Sequence, residues 1–181
     1  LALGVLWAAH SVPAAAQPAY RVKDIASQTL GSGVSNLTAI GSTAYFTADN
    51  GYAGAELWKS DGTTAGTVLV KDINPGLDGS SPAHFAVLGT TLYFSASDGT
   101  NGIELWKSDG PAGGTMLVKD IVPGAGTSFP SPLAGANGTL FFAANDGTHG
   151  VELWKSDGTA AGTMLVKDIN AGANGSNPPI G

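Results

Sequence analysis

The sequence contains no cysteine, which excludes disulfide bonds, zinc–thiolate sites and a cysteine nucleophile. Charged residues make up only 12% of its 181 residues, and the net charge of −6 argues against the clustered basic surface that nucleic-acid binding needs. No apolar run is long enough to span a bilayer, and no stretch beyond a few residues has a helical period. These absences indicate a β-rich protein with no nucleic-acid partner and no membrane span.

The chain is dominated by two phrases that recur together. The phrase Glu-Leu-Trp-Lys-Ser-Asp-Gly begins at Glu56, Glu104 and Glu152. The phrase Leu-Val-Lys-Asp-Ile follows each copy, and corresponding residues are 48 positions apart. A fixed period near 50 residues indicates a repeat array, in which each unit buries its faces against its neighbours.

The repeats divide the chain into segments. Residues 20–25 match the closing phrase of a repeat, and the full and partial repeats then cover 23–70, 71–118, 119–166 and 167–181. Each repeat contains four short strand patterns separated by Asp-Gly and paired-glycine turns, which in the second repeat lie at 85–88, 91–96, 103–107 and 115–121.

Four antiparallel strands in a unit of this length are typical of one propeller blade. We therefore predict an all-β, propeller-like array of about three four-stranded antiparallel blades in an open arc, with a β-solenoid as the alternative. Residues 20–25 would be the fourth strand of an incomplete blade. An open arc exposes blade faces and strand edges, so self-association or aggregation is expected.

The N-terminal segment predicts export. Residues 1–9 are largely apolar, and after a short intervening segment come the small residues 14–16, the pattern of a signal peptide cleaved before Gln17. We assign 1–16 as a signal peptide whose start lies upstream, and 17–181 as the blades of a secreted or cell-surface protein. A buried N-terminal helix is the alternative.

The recurring phrases closely resemble the ELWxxDGT repeat family of bacterial secreted and surface proteins, and the likeness covers nearly everything after residue 20. The resemblance implies a propeller-like organisation without a general catalytic assignment. Two turn positions depart from the pattern. Asn50 stands where later repeats have Asp98 and Asp146, and Pro111 stands where the other copies have threonine.

The repeated residues are candidates either for a ligand site or for structural positions. The tryptophans could stack on sugars, but mid-strand positions favour packing between blades. The turn aspartates, such as Asp61 and Asp157, could bind calcium, but turn chemistry explains them better, so no cofactor or metal is predicted. The residues that break the repeat, Tyr52, His84, Phe129 and His149, form no recognisable catalytic constellation. The positions assigned as structural are Glu56, Trp58, Lys71, Glu104, Trp106, Lys119, Glu152, Trp154 and Lys167.

Charge and aromatic patterns also predict a strand register. Pairing Ser156 with Thr163 places Trp154 opposite Leu165 and Glu152 opposite Lys167, which keeps Glu152 away from Asp168. The same register pairs Glu104 with Lys119 and Glu56 with Lys71. On the preceding hairpin, the predicted aromatic pairs are Phe141 with Trp154, Tyr93 with Trp106 and Tyr45 with Trp58.

Two functions of different class fit these features. The first is a non-catalytic extracellular repeat module for adhesion or ligand binding, whose partners would be a glycan or protein and further blades of the same full-length chain. The second is a fragment of a propeller enzyme acting on polysaccharide, with catalytic residues in other blades. The first is preferred, because an active site normally depends on residues that differ between repeats.

Overall fold

The computed structural model describes residues 21–26, 31–172, 175 and 176, and within them the chain forms three four-stranded sheets. Sheet 1 contains β1 (Ser35–Ile40), β2 (Thr43–Asp49), β3 (Ala55–Ser60) and β4 (Val68–Lys71). Sheet 2 contains β5 (Ala83–Leu88), β6 (Thr91–Ser97), β7 (Ile103–Ser108) and β8 (Met116–Lys119). Sheet 3 contains β9 (Ser131–Ala136), β10 (Thr139–Asn145), β11 (Val151–Ser156) and β12 (Met164–Lys167).

Every sheet is an antiparallel meander with its strands in sequence order. The longest helical element among the described residues is a three-residue 3₁₀ turn, Ala112–Gly114. No helix in this part of the chain could cross a membrane. The all-β prediction is confirmed, and the antiparallel pairing rules out the parallel coils of a β-solenoid.

Tight turns join the first two strands of each sheet. Gly41 and Gly89 have φ of 59° and 62°, and Asn137 and Gly138 have φ of 50° and 75°. Two-residue hairpins require such positive angles because their backbone twist then matches that of the flanking strands. Glycine therefore recurs at the first reversal of each meander.

Two apolar cores join the three sheets in series. The first is formed by Tyr45, Leu57 and Val70 of sheet 1 and Ile73 of the linker after it, together with the sheet 2 residues Leu92, Phe94, Ala96 and Trp106. The second is formed by the equivalent residues one repeat later: Tyr93, Leu105, Val118, Ile121, Leu140, Phe142, Ala144 and Trp154. Both faces of sheet 2 are therefore buried, which explains why its strands carry apolar residues on each side.

The sheets converge along one edge. The first strands β1, β5 and β9 of neighbouring sheets approach one another, whereas the fourth strands do not approach each other to a comparable extent. Sheets that share face-to-face cores and converge at their first strands form an open, propeller-like arrangement of blades. The predicted signal segment 1–16 lies outside the described residues.

The prediction that residues 20–25 are the fourth strand of an incomplete blade stays a prediction. Residues 21–26 have no strand pairing, because no third strand of a preceding sheet lies beside them within the described chain. The segment nevertheless packs on sheet 1, where Ile25 contacts the cluster of Phe46, Ala48 and Trp58. It covers part of the face that a preceding sheet would cover.

The predicted glutamate–lysine pairs are also wrong. Trp154 does lie opposite Leu165, as predicted, but Leu153 and not Glu152 lies opposite Lys167. The register shifts between Leu153 and Trp154, and the same bulge occurs in the other two sheets. The extra residue of this bulge is a valine of the fourth strand: Val70, Val118 or Val166. In sheets 1 and 2 this valine is buried in the core against the next sheet.

The predicted aromatic pairs are wrong by one residue. Trp154 lies opposite Phe142 and not Phe141, with ring centroids 6.4 Å apart. Its counterparts Trp58 and Trp106 lie opposite Phe46 and Phe94. The tyrosines at the neighbouring positions point to the opposite face, because successive side chains of a strand alternate.

Candidate functional site: the clefts between sheets

The recurring glutamates organise the linkers between sheets. Glu56 is fully buried and accepts hydrogen bonds from the backbone N–H of Ile73, Asn74 and Ser80 at 3.1, 3.1 and 2.8 Å. The Ser80 hydroxyl donates a fourth bond at 2.5 Å. All of these donors lie in the linker after β4, so the carboxylate holds that linker in place.

The same arrangement occurs in every repeat. Glu104 accepts from the backbone of Ile121, Val122 and Ser128, and the Ser128 hydroxyl lies 2.5 Å from it. Glu152 accepts from the backbone of Ile169 and Asn170 and from the Ser176 hydroxyl. A buried carboxylate with this many donors is satisfied without a ligand.

Burial and hydrogen bonding act in opposite directions on these carboxyl groups. Burial raises the pKa of Glu56 and Glu104 above the ordinary value, although the bonds from the serine and the linker backbone partly counter it. For Glu152, burial by itself would raise the pKa, but the hydrogen bonds from Ser176, Asn170 and Ile169 outweigh the effect of burial. The pKa of Glu152 is therefore lowered. The repeats are thus alike in geometry and different in electrostatics.

The lysines of the second phrase connect neighbouring sheets. Lys71 Nζ donates to the Thr115 carbonyl, and Lys119 Nζ donates to the Thr163 carbonyl, each at 2.8 Å. Lys71 also lies 5.8 Å from the centroid of the Trp106 ring, within cation–π distance. These lysines therefore cross the junction and do not pair with the glutamates.

The tryptophans lie in the core. Trp58, Trp106 and Trp154 are 6%, 5% and 7% exposed, so none of the three presents an open ring face for a sugar. Trp106 and Trp154 contribute to the two cores between sheets. The structure therefore assigns Trp106 and Trp154 to packing between sheets, whereas Trp58 packs with Phe46 and Ala48 of its own sheet.

The turn aspartates cap their own hairpins. Asp98 accepts from the N–H of Thr100 and Asn101, and Asp146 accepts from the N–H of Thr148 and His149. Asn50 makes the equivalent bonds through its amide oxygen, which explains why asparagine replaces aspartate there. Within the residues that the structure describes, no group of three or more acidic or histidine side chains is arranged to hold a metal ion.

The residues that break the repeat have separate local environments. His84 has a φ of 54° at the irregularity in β5, and its Nδ1 lies 3.0 Å from Ser95 Oγ. His149 Nδ1 lies 2.7 Å from an Asp146 carboxylate oxygen. Phe129 is exposed on the linker that precedes β9. The structure does not bring these residues together in a shared site.

One polar cleft forms at each junction between sheets. The cleft between sheets 2 and 3 encloses about 250 Å³ and is lined by Thr91, Tyr93, Lys107, Asp109, Gly114, Met116 and Asp157. The cleft between sheets 1 and 2 encloses about 360 Å³. Its lining includes the counterpart, 48 positions earlier, of every one of those seven residues. Asp109 lines both clefts.

The two clefts share the same internal contacts. Lys59 Nζ donates to the Gly110 carbonyl at 3.2 Å, and Lys107 Nζ donates to the Gly158 carbonyl at 2.7 Å. A Cβ at Gly158 would lie 2.5 Å from the Tyr93 hydroxyl, so only glycine permits this close approach of the tyrosine. The turn of one sheet thus closes the cleft of the preceding sheet.

The cleft lining can both donate and accept hydrogen bonds. Burial, and then the nearby carboxylate, raises the pKa of both tyrosines: Asp109 acts on Tyr45 and Asp157 acts on Tyr93. Each phenol therefore keeps its proton at neutral pH and remains a donor. The lysine ammonium adds donors, and the carboxylates and the threonine hydroxyl add acceptors.

The clefts were not identified from the sequence as a site. The feature that indicates these clefts is the cross-strand pairing of Tyr45 with Lys59 and of Tyr93 with Lys107, which recurs at the repeat spacing. The predicted register of this hairpin was wrong by one residue and paired the tyrosines with tryptophans, so the tyrosine–lysine pairs were not recognised. In comparisons with known proteins, no family model matches this chain and no curated protein matches it.

Proposed function

We propose that this chain is a non-catalytic extracellular repeat module that binds a hydroxyl-rich ligand, such as a glycan chain, in the clefts between its sheets. The observation that carries the proposal is the occurrence of the same cleft, built from equivalent residues, at both junctions. The resemblance to the ELWxxDGT repeat family supports the assignment to a secreted or surface protein.

The chemistry of the clefts favours a hydroxylated ligand. Sugar hydroxyls both donate and accept hydrogen bonds, and each cleft offers a phenol, an ammonium group and carboxylates side by side. Equivalent clefts one repeat apart suit a polymer with repeating units, because engaging two linked sites raises the overall affinity without any new contact.

Equivalence between clefts also argues against catalysis. Both clefts present the same polar residue types at equivalent positions, whereas a catalytic site would assign different roles to residues that differ between repeats. The alternative, a fragment of an enzyme acting on polysaccharide, predicts turnover. Incubation with a panel of polysaccharides, followed by measurement of new reducing ends, distinguishes the two functions.

The binding test uses variants that the fold already accepts. Sheet 3 has Phe141 at the position of Tyr45 and Tyr93, so Tyr45→Phe and Tyr93→Phe each introduce the repeat's own residue. We expect each substitution to weaken binding to a glycan panel by about tenfold, the value of one hydrogen bond, and the pair to weaken it further.

Leu77→Ala is the matched control, because Leu77 is exposed and lines neither cleft. Affinity unchanged in the variant with both tyrosines replaced would exclude the clefts as the binding site.

Export is proposed from residues 1–16 alone, and mass spectrometry of secreted protein should find a mature N-terminus near Gln17.

A further inference from the structure

The outer face of sheet 3 differs in exposure from the same face of sheet 2. In sheet 2 the four apolar residues of this face are at most 7% exposed: Tyr93, Leu105, Val118 and Ile121. In sheet 3 the equivalent Val166 and Ile169 are 44% and 59% exposed, and Phe141 and Leu153 are half-buried. Among the described residues, no sheet therefore covers in sheet 3 the face that packs on a following sheet in sheets 1 and 2.

Sheet 1 has an incompletely filled groove on its opposite face. The groove encloses about 230 Å³, and its apolar lining includes Val22, Ile25, Val34, Leu37, Ala44 and Phe46. Val34 and Leu37 are 56% and 70% exposed. At the next junction the counterpart of Leu37 is Phe85, which packs against the core formed with Tyr45 and Leu57. The groove thus lies where strands of a preceding sheet would pack.

The segment beside this groove has the same sequence as the end of sheet 3. Residues 22–25 and 166–169 are both Val-Lys-Asp-Ile. Lys23 Nζ donates to the Thr67 carbonyl at 2.8 Å, and the equivalent Lys71 and Lys119 bonds to the following sheets have the same length. Residues 22–25 therefore occupy the place of the last strand of a preceding sheet.

We propose that this chain associates head to tail with a second copy of itself, through the outer face of sheet 3 and the groove of sheet 1. In this interface, residues 166–169 of one copy replace residues 22–25 of the other. Lys167 then donates to the Thr67 carbonyl of the second copy, while Phe141 and Leu153 enter its groove. The contact would reproduce both internal junctions, whose residues are of the same types at the same spacing.

The proposed contact joins two different surfaces, so it is heterologous and leaves both outer surfaces of a dimer open to further copies. Residues 22–25 compete with residues 166–169 for one place. Association is therefore reversible and dependent on concentration. It strengthens when residues 22–25 bind sheet 1 of their own chain less tightly.

Sedimentation velocity of three purified forms tests this geometry. The tail variant carries Val166→Asp and Ile169→Asp, and the groove variant carries Val34→Asp and Leu37→Asp; all four positions are exposed, so the fold should persist. We expect the unsubstituted chain to form species larger than dimers as its concentration rises. Each double variant alone should remain a monomer, and an equimolar mixture should form a dimer that grows no further.

Leu77→Asp is the matched control, because Leu77 is 76% exposed and lies outside both surfaces, and it should associate like the unsubstituted chain. Val22→Asp with Ile25→Asp should increase association, because the competing segment is weakened. Dimers of the groove variant alone would indicate pairing of two sheet 3 faces and would overturn the proposal. An unsubstituted chain that stays monomeric at every concentration would also overturn it and would leave a further repeat of a longer chain as the occupant.

Discussion

Sheets 2 and 3 have nearly the same sequence and very different surroundings. Leu105 and Leu153 are the same residue at the same position of the repeat, yet Leu105 is fully buried and Leu153 is half-buried. The difference arises because sheet 3 packs on the outer face of sheet 2, whereas no described sheet packs on the outer face of sheet 3. Burial in this molecule is therefore a property of the neighbouring sheet as much as of the residue.

The glutamates are fully buried in both sheets but differ in pKa. Glu104 and Glu152 receive equivalent hydrogen bonds, but the pKa of Glu104 is raised and that of Glu152 is lowered. A raised carboxyl pKa means that the stability contribution of Glu104 falls as the pH rises from its unfolded to its folded pKa. The lowered pKa of Glu152 means that its contribution is present above the unfolded pKa and is lost as the pH falls through the folded pKa.

The largest expected effect comes from removing a buried carboxylate. Glu104→Ala leaves the linker N–H groups of Ile121, Val122 and Ser128 without their acceptor inside the junction between sheets 2 and 3. We expect the free energy of unfolding to fall by about 3–5 kcal/mol. Urea denaturation measures it.

Glu152→Ala is the matched variant for this prediction. The linker that Glu152 holds includes the partly exposed Ser176 and joins no further sheet among the described residues, so its loss should be clearly less destabilising. Equal losses in the two variants would contradict a role for the neighbouring sheet.

A smaller effect is expected for the lysines that cross the junctions. Lys119→Met removes the bond to the Thr163 carbonyl while keeping most of the side-chain volume, and we expect a loss of about 1–2 kcal/mol. Lys167 lies exposed on sheet 3, so Lys167→Met should change stability by no more than about 0.5 kcal/mol. Thermal unfolding of both variants measures the difference, and a greater loss at Lys167 would refute this assignment.

The smallest effect concerns the hairpins between the second and third strands. His149 contacts Asp146 in sheet 3, where Asn101 contacts Asp98 in sheet 2. The hydrogen bond that His149 donates to Asp146 raises the pKa of His149. Burial raises the pKa of Asp146, but the bonds from His149 and Thr148 outweigh it and lower that pKa.

The sign of the pH dependence follows from these shifts. The contribution of His149 is complete below its unfolded pKa and is lost as the pH rises through its folded pKa, whereas that of Asp146 is lost as the pH falls through its folded pKa. His149→Asn copies sheet 2 and should abolish the loss at higher pH. An NMR titration of His149 together with melting curves across pH tests this, and a histidine pKa below the ordinary value would refute it.

Much of the fold could be predicted from the sequence. The 48-residue spacing and the turn glycines located four strands in each repeat, and the second and third strands differ from prediction by a single residue, with Thr91–Ser97 and Ile103–Ser108 observed. The register was predicted only in part: Trp154 lies opposite Leu165 as predicted, but the charge pairs assumed a ladder without a bulge. A bulge at Val166 and its counterparts interrupts that ladder.

The candidate site was less accessible to sequence reasoning. The cleft at Tyr93 and Lys107 includes Asp157 from the following sheet, so its lining depends on a contact between repeats. The turn aspartates were correctly interpreted as turn residues, because an Asp–Gly turn is a local feature. Asp109 nevertheless also lines two clefts, which no local pattern indicates.

By itself the sequence determined the strands, the turns and the number of units, because backbone angles and side-chain alternation depend on near neighbours in the chain. The tertiary structure decided where the repeated charges act. Glu56 holds the linker that follows its sheet, because a fully buried carboxylate requires the hydrogen-bond donors of that linker. Lys71 instead reaches the next sheet, because the acceptor of its ammonium group lies across the junction. The equivalent Leu153, Val166 and Lys167 of sheet 3 pack against no further sheet among the described residues, and they are correspondingly more exposed.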